Sequence, residues 1–247
     1  MKHFLIGIDD TDNQDSRGTG YHSRCLGKLI EEKKVGMVEG ITRHQLLFDP
    51  RIPYTSHNSS ACLEVMSDNF LALTELCRDF LLRESADGSD AGLAVAEYNK
   101  IEGEVLSWGL RAKKDILTQP EARDIAKKNN ILLEGLTGDK DGIIGSLAAI
   151  ALRKSGNDGR FIWIKGTELR QLKGVYKIEQ LFKEINFDAV VDRNLKIVSN
   201  IETIDAGEWL RPILKNNKKI IIADKSLNDR NYEWKVTSKD YIKKISD

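Results

Sequence analysis

The chain opens with a short apolar run, Phe4-Leu-Ile-Gly-Ile8, that stops on Asp9-Asp-Thr-Asp12. An apolar stretch this short, bounded by polar residues, reads as a buried strand rather than a helix. The three carboxylates that follow lie within four residues and repel one another. A surface turn tolerates such a cluster, but at the end of a fixed strand it calls for a cation. Mg²⁺ suits it, because that ion is commonly held by one or two carboxylates together with phosphate oxygens. Alternation along a strand would send Asp9 and Asp10 to opposite faces, leaving two of the three to act together. The next loop, Ser16-Arg-Gly-Thr-Gly20, adds small and hydroxyl residues and the guanidinium of Arg17. Carboxylates for a metal beside small residues for close approach point to a phosphate-handling site. His22 follows as a candidate acid, base or metal ligand.

The composition limits the class. The 247 residues suffice for one large domain or two small ones, and 40% hydrophobic content is ample for a core. The apolar stretches fall well short of the roughly 20 residues that span a bilayer, and no secretory pattern opens the chain. Cys25, Cys62 and Cys77 are far apart and lack a Cys-x-x-Cys pairing, as buried thiols would be. A cytoplasmic protein with no membrane partner is expected. Net charge is zero but unevenly spread: residues 160–247 carry 18 Lys+Arg against 13 Asp+Glu, and residues 1–159 carry 20 against 25. This is either chance fluctuation or an acidic front with a basic rear that could touch a polyanion.

The pattern predicts strands over 4–8, 36–48, 60–66 and 91–97, and helices over 21–34 and 69–84. The order β-α-β-β-α-β is the ferredoxin-like arrangement, which makes the fold class α+β. A helix over 120–129 starts on Pro120. An extended piece over 131–136 and a buried helix over 143–155, ended by Gly156, follow. In the tail the pattern predicts strands over 161–165, 195–199 and 219–223 and a helix over 177–186. Gly156-Asn-Asp-Gly159 is the best linker candidate, separating a region 1–155 from a small basic α+β region 160–247.

Three further segments carry polar chemistry. Gly135-Leu-Thr-Gly-Asp-Lys-Asp-Gly-Ile-Ile-Gly145-Ser146 is a glycine-rich loop opening a helix, whose free N–H groups favour an anion. It lacks the Gly-Lys-Ser/Thr ending of a P-loop, and Asp139 or Asp141 could cap the helix instead. Arg51-Ile-Pro-Tyr-Thr-Ser-His-Asn-Ser-Ser60 packs Arg, Tyr54, His57, Asn58 and hydroxyls between two strands. Arg111, Lys113 and Lys114 form a cationic group that by itself reads as a solvated face.

Ile6-Gly-Ile-Asp-Asp-Thr-Asp12, Arg17-Gly18, Pro50-Arg-Ile-Pro-Tyr54, Asn58, Lys114-Asp-Ile-Leu117 and Gly142-Ile-Ile-Gly-Ser-Leu-Ala-Ala149 occur in this order. Together they resemble the archaeal tRNA-isoleucine agmatinylcytidine synthetases over roughly residues 4–155. The resemblance implies an unusual kinase-like module beside a ferredoxin-like one, and activation of a cytidine carbonyl oxygen by ATP before an amine displaces the phosphate. It implies that Asp9, Asp10 and Asp12 hold Mg²⁺ with ATP phosphates. Arg17, Gly18, Thr19, Lys114, Gly142, Gly145 and Ser146 would then lie near the nucleotide, and Tyr54, His57 and Asn58 would line the acceptor or amine site. The family has a Cys-Thr-Thr run where this chain has Thr19-Gly-Tyr-His22, which places Tyr21 at the family's self-phosphorylated threonine, with Thr19 nearby. The family also carries an OB-fold and a zinc ribbon. A chain of this length with three cysteines is not expected to hold both.

The expected function is Mg²⁺/ATP-dependent phosphoryl transfer to a carbonyl or hydroxyl acceptor, related to tRNA agmatinylcytidine synthesis, with a nucleotide and an RNA or small amine as partners. Asp9, Asp10, Asp12 and Arg17 would be its catalytic residues. The alternatives are a phosphatase with Asp9 as nucleophile and a non-catalytic nucleotide- or RNA-binding module.

Overall fold

A computed structural model describes residues 1–53, 57–227 and 231–246. The chain forms two compact units, Met1–Ser155 and Gly156–Asp247.

The first unit is built on β1 (Lys2–Asp9), followed by α1 (Thr19–Glu32), β2 (Met37–Gln45), β3 (Ser59–Ser67), α2 (Phe70–Glu84) and β4 (Gly92–Glu97). Then come α3 (Gly103–Arg111), α4 (Gln119–Lys128), β5 (Leu132–Gly135) and α5 (Gly142–Ser155). The strands lie in the order β5-β4-β1-β3-β2, and every neighbouring pair is antiparallel. β1 is interior, with Phe4 opposite Val65 of β3 and Glu97 of β4. Phe4, Leu5, Ile6 and Ile8 are all buried, so both faces of β1 are covered. This is why its sequence runs apolar instead of alternating.

α5 packs on the face carrying Leu5 and Gly7. It is buried nearly all round, as an interior helix should be, between the sheet and the helices α3 and α4. α1 and α2 bury narrower stripes. In α1 His22, Leu26 and Ile30 follow one another at four-residue spacing. α2 buries Leu73, Cys77, Phe80 and Leu81, and Asn69 caps it by accepting from the Ala72 N–H at 3.0 Å. The three cysteines are free thiols, and burial pushes Cys62 and Cys77 above the ordinary thiol range, Cys77 to about 12.

Gly7 marks how close α5 comes. A Cβ there would stand 2.0 Å from the Ser146 carbonyl oxygen, and one at Gly92 would stand 2.1 Å from the Gly142 carbonyl carbon. The sheet and the start of α5 are therefore in backbone contact, which sets the position of everything at the end of β1.

At the other end of α5, Arg153 donates to Glu64 Oε2, while His3 Nε2 lies 2.8 Å from Glu64 Oε1. Burial alone would raise the Glu64 carboxyl, but His3 and Arg153 together hold it down from 4.5 to about 2. A depressed folded value means stability that is present above the unfolded value and is lost as pH falls through the folded one. Glu64→Gln should therefore remove on the order of 3 kcal/mol at neutral pH. It should also flatten the loss of stability between pH 4.5 and about 2. Urea titrations at several pH values check both, and an unchanged acid profile would refute the linkage.

The second unit comprises β6 (Arg160–Ile164), β7 (Thr167–Glu168), β8 (Val175–Lys177), α6 (Ile178–Glu184), β9 (Ala189–Val191) and β10 (Thr203–Asp205). β11 (Ile213–Lys215), β12 (Lys218–Lys225), β13 (Trp234–Val236) and α7 (Lys239–Ser246) complete it. Its strand order is β6-β11-β12-β13-β10-β8, with β7 on β6 and β9 parallel to β12. β11 and β12 form a hairpin through Asn216 and Asn217, both at positive φ as a type I′ turn requires. The strand expected over 195–199 does not form. A single bridge between Val191 and Ile197 stands there, and Ile197 is 73% exposed, so its apolar side chain misleads. No helix among the described residues is long and apolar enough to cross a membrane.

Candidate functional site

The C-terminal end of β1 opens into a cleft of 740 Å³ within the first unit, inside the ~300–1,000 Å³ range of small-molecule sites. Leu5, Gly7 and Asp9 share one strand face, so Asp9 points toward α5. Its Oδ2 packs against Gly145, where an added Cβ would come within 1.8 Å of it. Asp10 follows with φ at +50°. That left-handed residue ends the alternation, and Asp9, Asp10 and Asp12 all line the same cleft. The expectation that Asp9 and Asp10 face opposite ways is corrected for this reason: the strand stops between them.

Asp12 is fixed by the start of α1. Its Oδ1 accepts from the Thr19 N–H at 2.9 Å and from the Thr19 hydroxyl at 2.8 Å. The Thr19 oxygen in turn accepts from the Thr11 N–H at 3.3 Å and from its hydroxyl at 3.2 Å. His22 Nδ1 lies 2.8 Å from Thr11 Oγ1, within hydrogen-bond distance. His22 is buried and does not line the cleft. Burial lowers its pKa, against the opposite pull of Asp12 and Glu84. It holds Thr11 and, through Thr19, the carboxylate of Asp12.

Charge is the dominant property of this end of the cleft. Burial, and then Asp10, push the Asp9 carboxyl well above the usual range. Asp10 is raised from 3.8 to about 6, first by burial, then by Asp90, Asp12 and Asp141. Each carboxylate is thus crowded by others, which is the condition a bound cation relieves. Among the described residues no three His, Cys, Asp or Glu side chains close on one point as a preformed cage would. The donor set fits an ion held by one or two carboxylates and completed by ligand oxygens, which is the habit of Mg²⁺.

The glycine loop behaves differently from a free anion cradle. The Gly142 N–H donates to Asp90 O at 2.9 Å, Ile143 N–H to Lys140 O at 3.3 Å, and Ile144 N–H to Asp141 O at 3.0 Å. Gly142 and Ser146 are buried, and the Ser146 hydroxyl bonds to Ile143 O at 3.2 Å. Of this segment Asp141, Ile144 and Gly145 reach the cleft. The Asp141 carboxylate accepts from Gln119 Nε2 at 2.6 Å, which ties α4 to the start of α5.

The cleft also receives Thr19, His57 and Asn58. Asn58 is a clamp: its Nδ2 donates to Leu47 O at 2.7 Å and its own carbonyl accepts from Leu46 N–H at 2.9 Å. Arg17 lies over the Tyr21 ring, 4.5 Å from its centroid. Arg17, Gly18, Gly142, Ser146 and Lys114 are absent from the cleft wall among the described residues. Tyr54 lies outside the described residues. The cations that do line the cleft are Arg51 and Arg123. Arg51 is held in a fork by Asp49, with both contacts at 2.8 Å. Arg123, with Thr118 and Gln119, carries no sequence signal; α4 reaches the cleft only through the fold. An apolar wall of Leu46, Ile52, Ile116, Leu117 and Ile144 completes the surface.

No known protein-family model matches the chain. The uncharacterized protein MJ0921 of Methanocaldococcus jannaschii is 29% identical over 156 residues, which is 62% of this chain and 50% of that protein. The isoleucine-tRNA 2-agmatinylcytidine synthetase TiaS of Methanosarcina acetivorans is 28% identical over 152 residues, 59% of this chain and 35% of the relative. The chain thus spans about half of one curated relative and about a third of the other. Among solved structures, a tRNA fluorescent labeling enzyme superposes with a TM-score of 0.54 at 25% identity, over 60% of this chain and 36% of that one. The complex of TiaS with its isoleucine tRNA and ATP gives 0.55 at 24%, over 61% of this chain and 36% of that one, a likeness of fold. About three fifths of this chain resembles the catalytic region of the tRNA 2-agmatinylcytidine synthetase TiaS.

Proposed function

We propose that the cleft binds Mg·ATP and that the chain transfers a phosphoryl group to a carbonyl or hydroxyl oxygen of an RNA or small-molecule acceptor. The observation that carries this reading is the crowding of Asp9, Asp10 and Asp12 on one wall of a ligand-sized cleft that also holds Arg51 and Arg123. The likeness to TiaS, a protein solved in complex with tRNA and ATP, supports ATP as the nucleotide. We read the β4-β1-β3-β2 sheet with α1 and α2 as the ferredoxin-like frame of residues 1–155. α3, α4, α5 and β5 then form its kinase-like module, and residues 160–247 are a separate basic part.

Mg²⁺, when bound, would neutralise carboxylate and phosphate charge and so supply most of the electrostatic help this reaction needs. The chain's own residues do the rest. Asp9 and Asp10 hold the metal end, with Asp12 oriented by Thr19. Arg123 and Arg51 are the first cations available to the phosphates, and Arg17 stands in the neighbouring loop. The apolar wall shields the base and excludes water from the reacting atoms. The acceptor oxygen forms the new P–O bond as ADP leaves; where the acceptor is a hydroxyl, one carboxylate of the acidic set takes its proton, and a carbonyl acceptor has none to give up.

Calorimetry with a non-hydrolysable ATP analogue tests the reading. Binding should appear with Mg²⁺ and fall at least about tenfold without it. No heat in either condition refutes the nucleotide site. Equal binding with and without Mg²⁺, and no turnover with any acceptor, identifies a non-catalytic binding module.

A further inference from the structure

The second unit carries an aromatic–cationic cluster unrelated to the cleft. The guanidinium carbons of Arg170 and Arg211 stand 4.1 Å and 4.4 Å from the centroid of the Trp209 ring. Arg170 comes from the 3₁₀ turn Leu169–Gln171, and Trp209 and Arg211 from the segment between β10 and β11. Arg211 Nη1 also donates to Trp209 O at 3.1 Å, which fixes the guanidinium on its own loop. Arg160, at the start of β6, is close enough to act on Arg211. The Arg211 guanidinium is pulled below its ordinary value first by burial and then by Arg160 and Arg170, with Glu208 opposing.

Two features of this arrangement suit a polyanion with flat bases. A guanidinium lying on an indole points its N–H groups outward in its own plane, toward oxygen acceptors, and offers its other face for stacking. Two guanidinium groups, those of Arg170 and Arg211, converge on one ring, and phosphodiester oxygens are acceptors that guanidinium groups favour. The balance of the unit agrees: residues 156–247 carry 18 Lys+Arg against 14 Asp+Glu.

We propose that the Trp209–Arg170–Arg211 surface binds single-stranded nucleic acid, with arginine N–H groups on the phosphates and guanidinium planes against the bases. Single strands fit better than duplexes, because only unpaired bases can splay out onto such a platform. The proposal rests on the second unit alone and stands or falls apart from the ATP reading.

The test uses the whole chain and a short fluorescein-labelled oligouridylate, followed by anisotropy while salt rises from about 50 to about 200 mM. The double variant R170Q/R211Q should bind about tenfold more weakly at the low salt. Its plot of log affinity against log salt should be shallower by about 1.4, or ~0.7 per lost phosphate contact. Trp209→Phe should weaken binding about threefold and remove the part of the tryptophan fluorescence that responds to the oligonucleotide. Arg170 is exposed, so Arg170→Gln alone, with an unchanged melting curve, should reproduce about half of the slope change in a folded protein. Binding within twofold of wild type in the double variant overturns the proposal. So does equal affinity for a duplex of the same length, or for phosphatidylserine vesicles, through the same arginines.

Discussion

Asp10→Asn should reduce ATP-dependent turnover at least about 100-fold and, in the same protein, raise the melting temperature of the ligand-free chain by a few degrees. The two effects have one cause. Asp10 is raised from 3.8 to about 6 by burial and by Asp90, Asp12 and Asp141. A raised carboxyl contributes stability that is fully present below 3.8 and is lost as pH climbs through about 6. At pH 7.5 the ligand-free protein therefore carries an ionised Asp10 that the fold resists. The full shift would correspond to about 3 kcal/mol. Asp10 is partly open to solvent, so about 1–2 kcal/mol is the sounder figure. Asn keeps the shape and removes the charge. A gain of that size moves the melting point of a chain this long by roughly 2–8 °C. The stability advantage should vanish at pH 4, where Asp10 is protonated, and Mg·ATP should stabilise the wild type but not the variant. A melting point that falls together with activity would instead give Asp10 a structural role. With the expected result, the site is one in which function is kept at a cost in stability.

How much of this is legible in the residues follows from what each signal depends on. β1 is readable because its apolar run and the carboxylates after it are local. The orientation of Asp9 and Asp10 is not, because it turns on one backbone angle, the +50° φ of Asp10. α5 is recognisable as buried, but its glycines read as a phosphate cradle. They allow the backbone to touch β1 and β4, and the N–H groups of Gly142, Ile143 and Ile144 already have carbonyl partners. A glycine-rich helix start looks the same in both cases; only the neighbouring strand distinguishes them. α3 buries Val105, Trp108, Gly109 and, at its cap, Ala112 at helical spacing, a stripe only about two turns long; it starts at Gly103, with φ at +49°, and places Gly109 against Ala151 and Leu152 of α5. Arg123 enters the cleft because α4 packs beside the start of α5, a long-range consequence with no local mark.

The glycine contacts separate fold from function in a pair of substitutions. Gly7→Ala places a Cβ 2.0 Å from the Ser146 carbonyl oxygen and 2.9 Å from its carbon. Both obstacles are backbone, in a helix held by the sheet below and by α3 and α4 above, so neither yields without lifting α5 from β1. Overpacking of this kind costs about 1–3 kcal/mol when side chains can adjust, and more when they cannot. We expect a loss of at least about 3 kcal/mol and largely insoluble protein. Gly145→Ala meets the Asp9 carboxyl group, with Oδ2 at 1.8 Å and Cγ at 2.5 Å, and Leu46 Cδ1 at 2.9 Å, all of them side-chain atoms. Those can swing aside, and Ala favours the helix by up to about 1 kcal/mol over Gly. The net loss should stay within about 1–2 kcal/mol and the protein should remain folded. The displaced carboxylate, however, leaves its place on the cleft wall. Mg·ATP binding should then weaken at least about tenfold, while any loss of Mg-independent nucleotide affinity stays within about twofold. Urea denaturation and calorimetry on both variants check this contrast. A soluble Gly7→Ala with native stability would contradict the close approach of α5, and a Gly145→Ala that binds Mg·ATP like wild type would remove Asp9 from the metal end of the site.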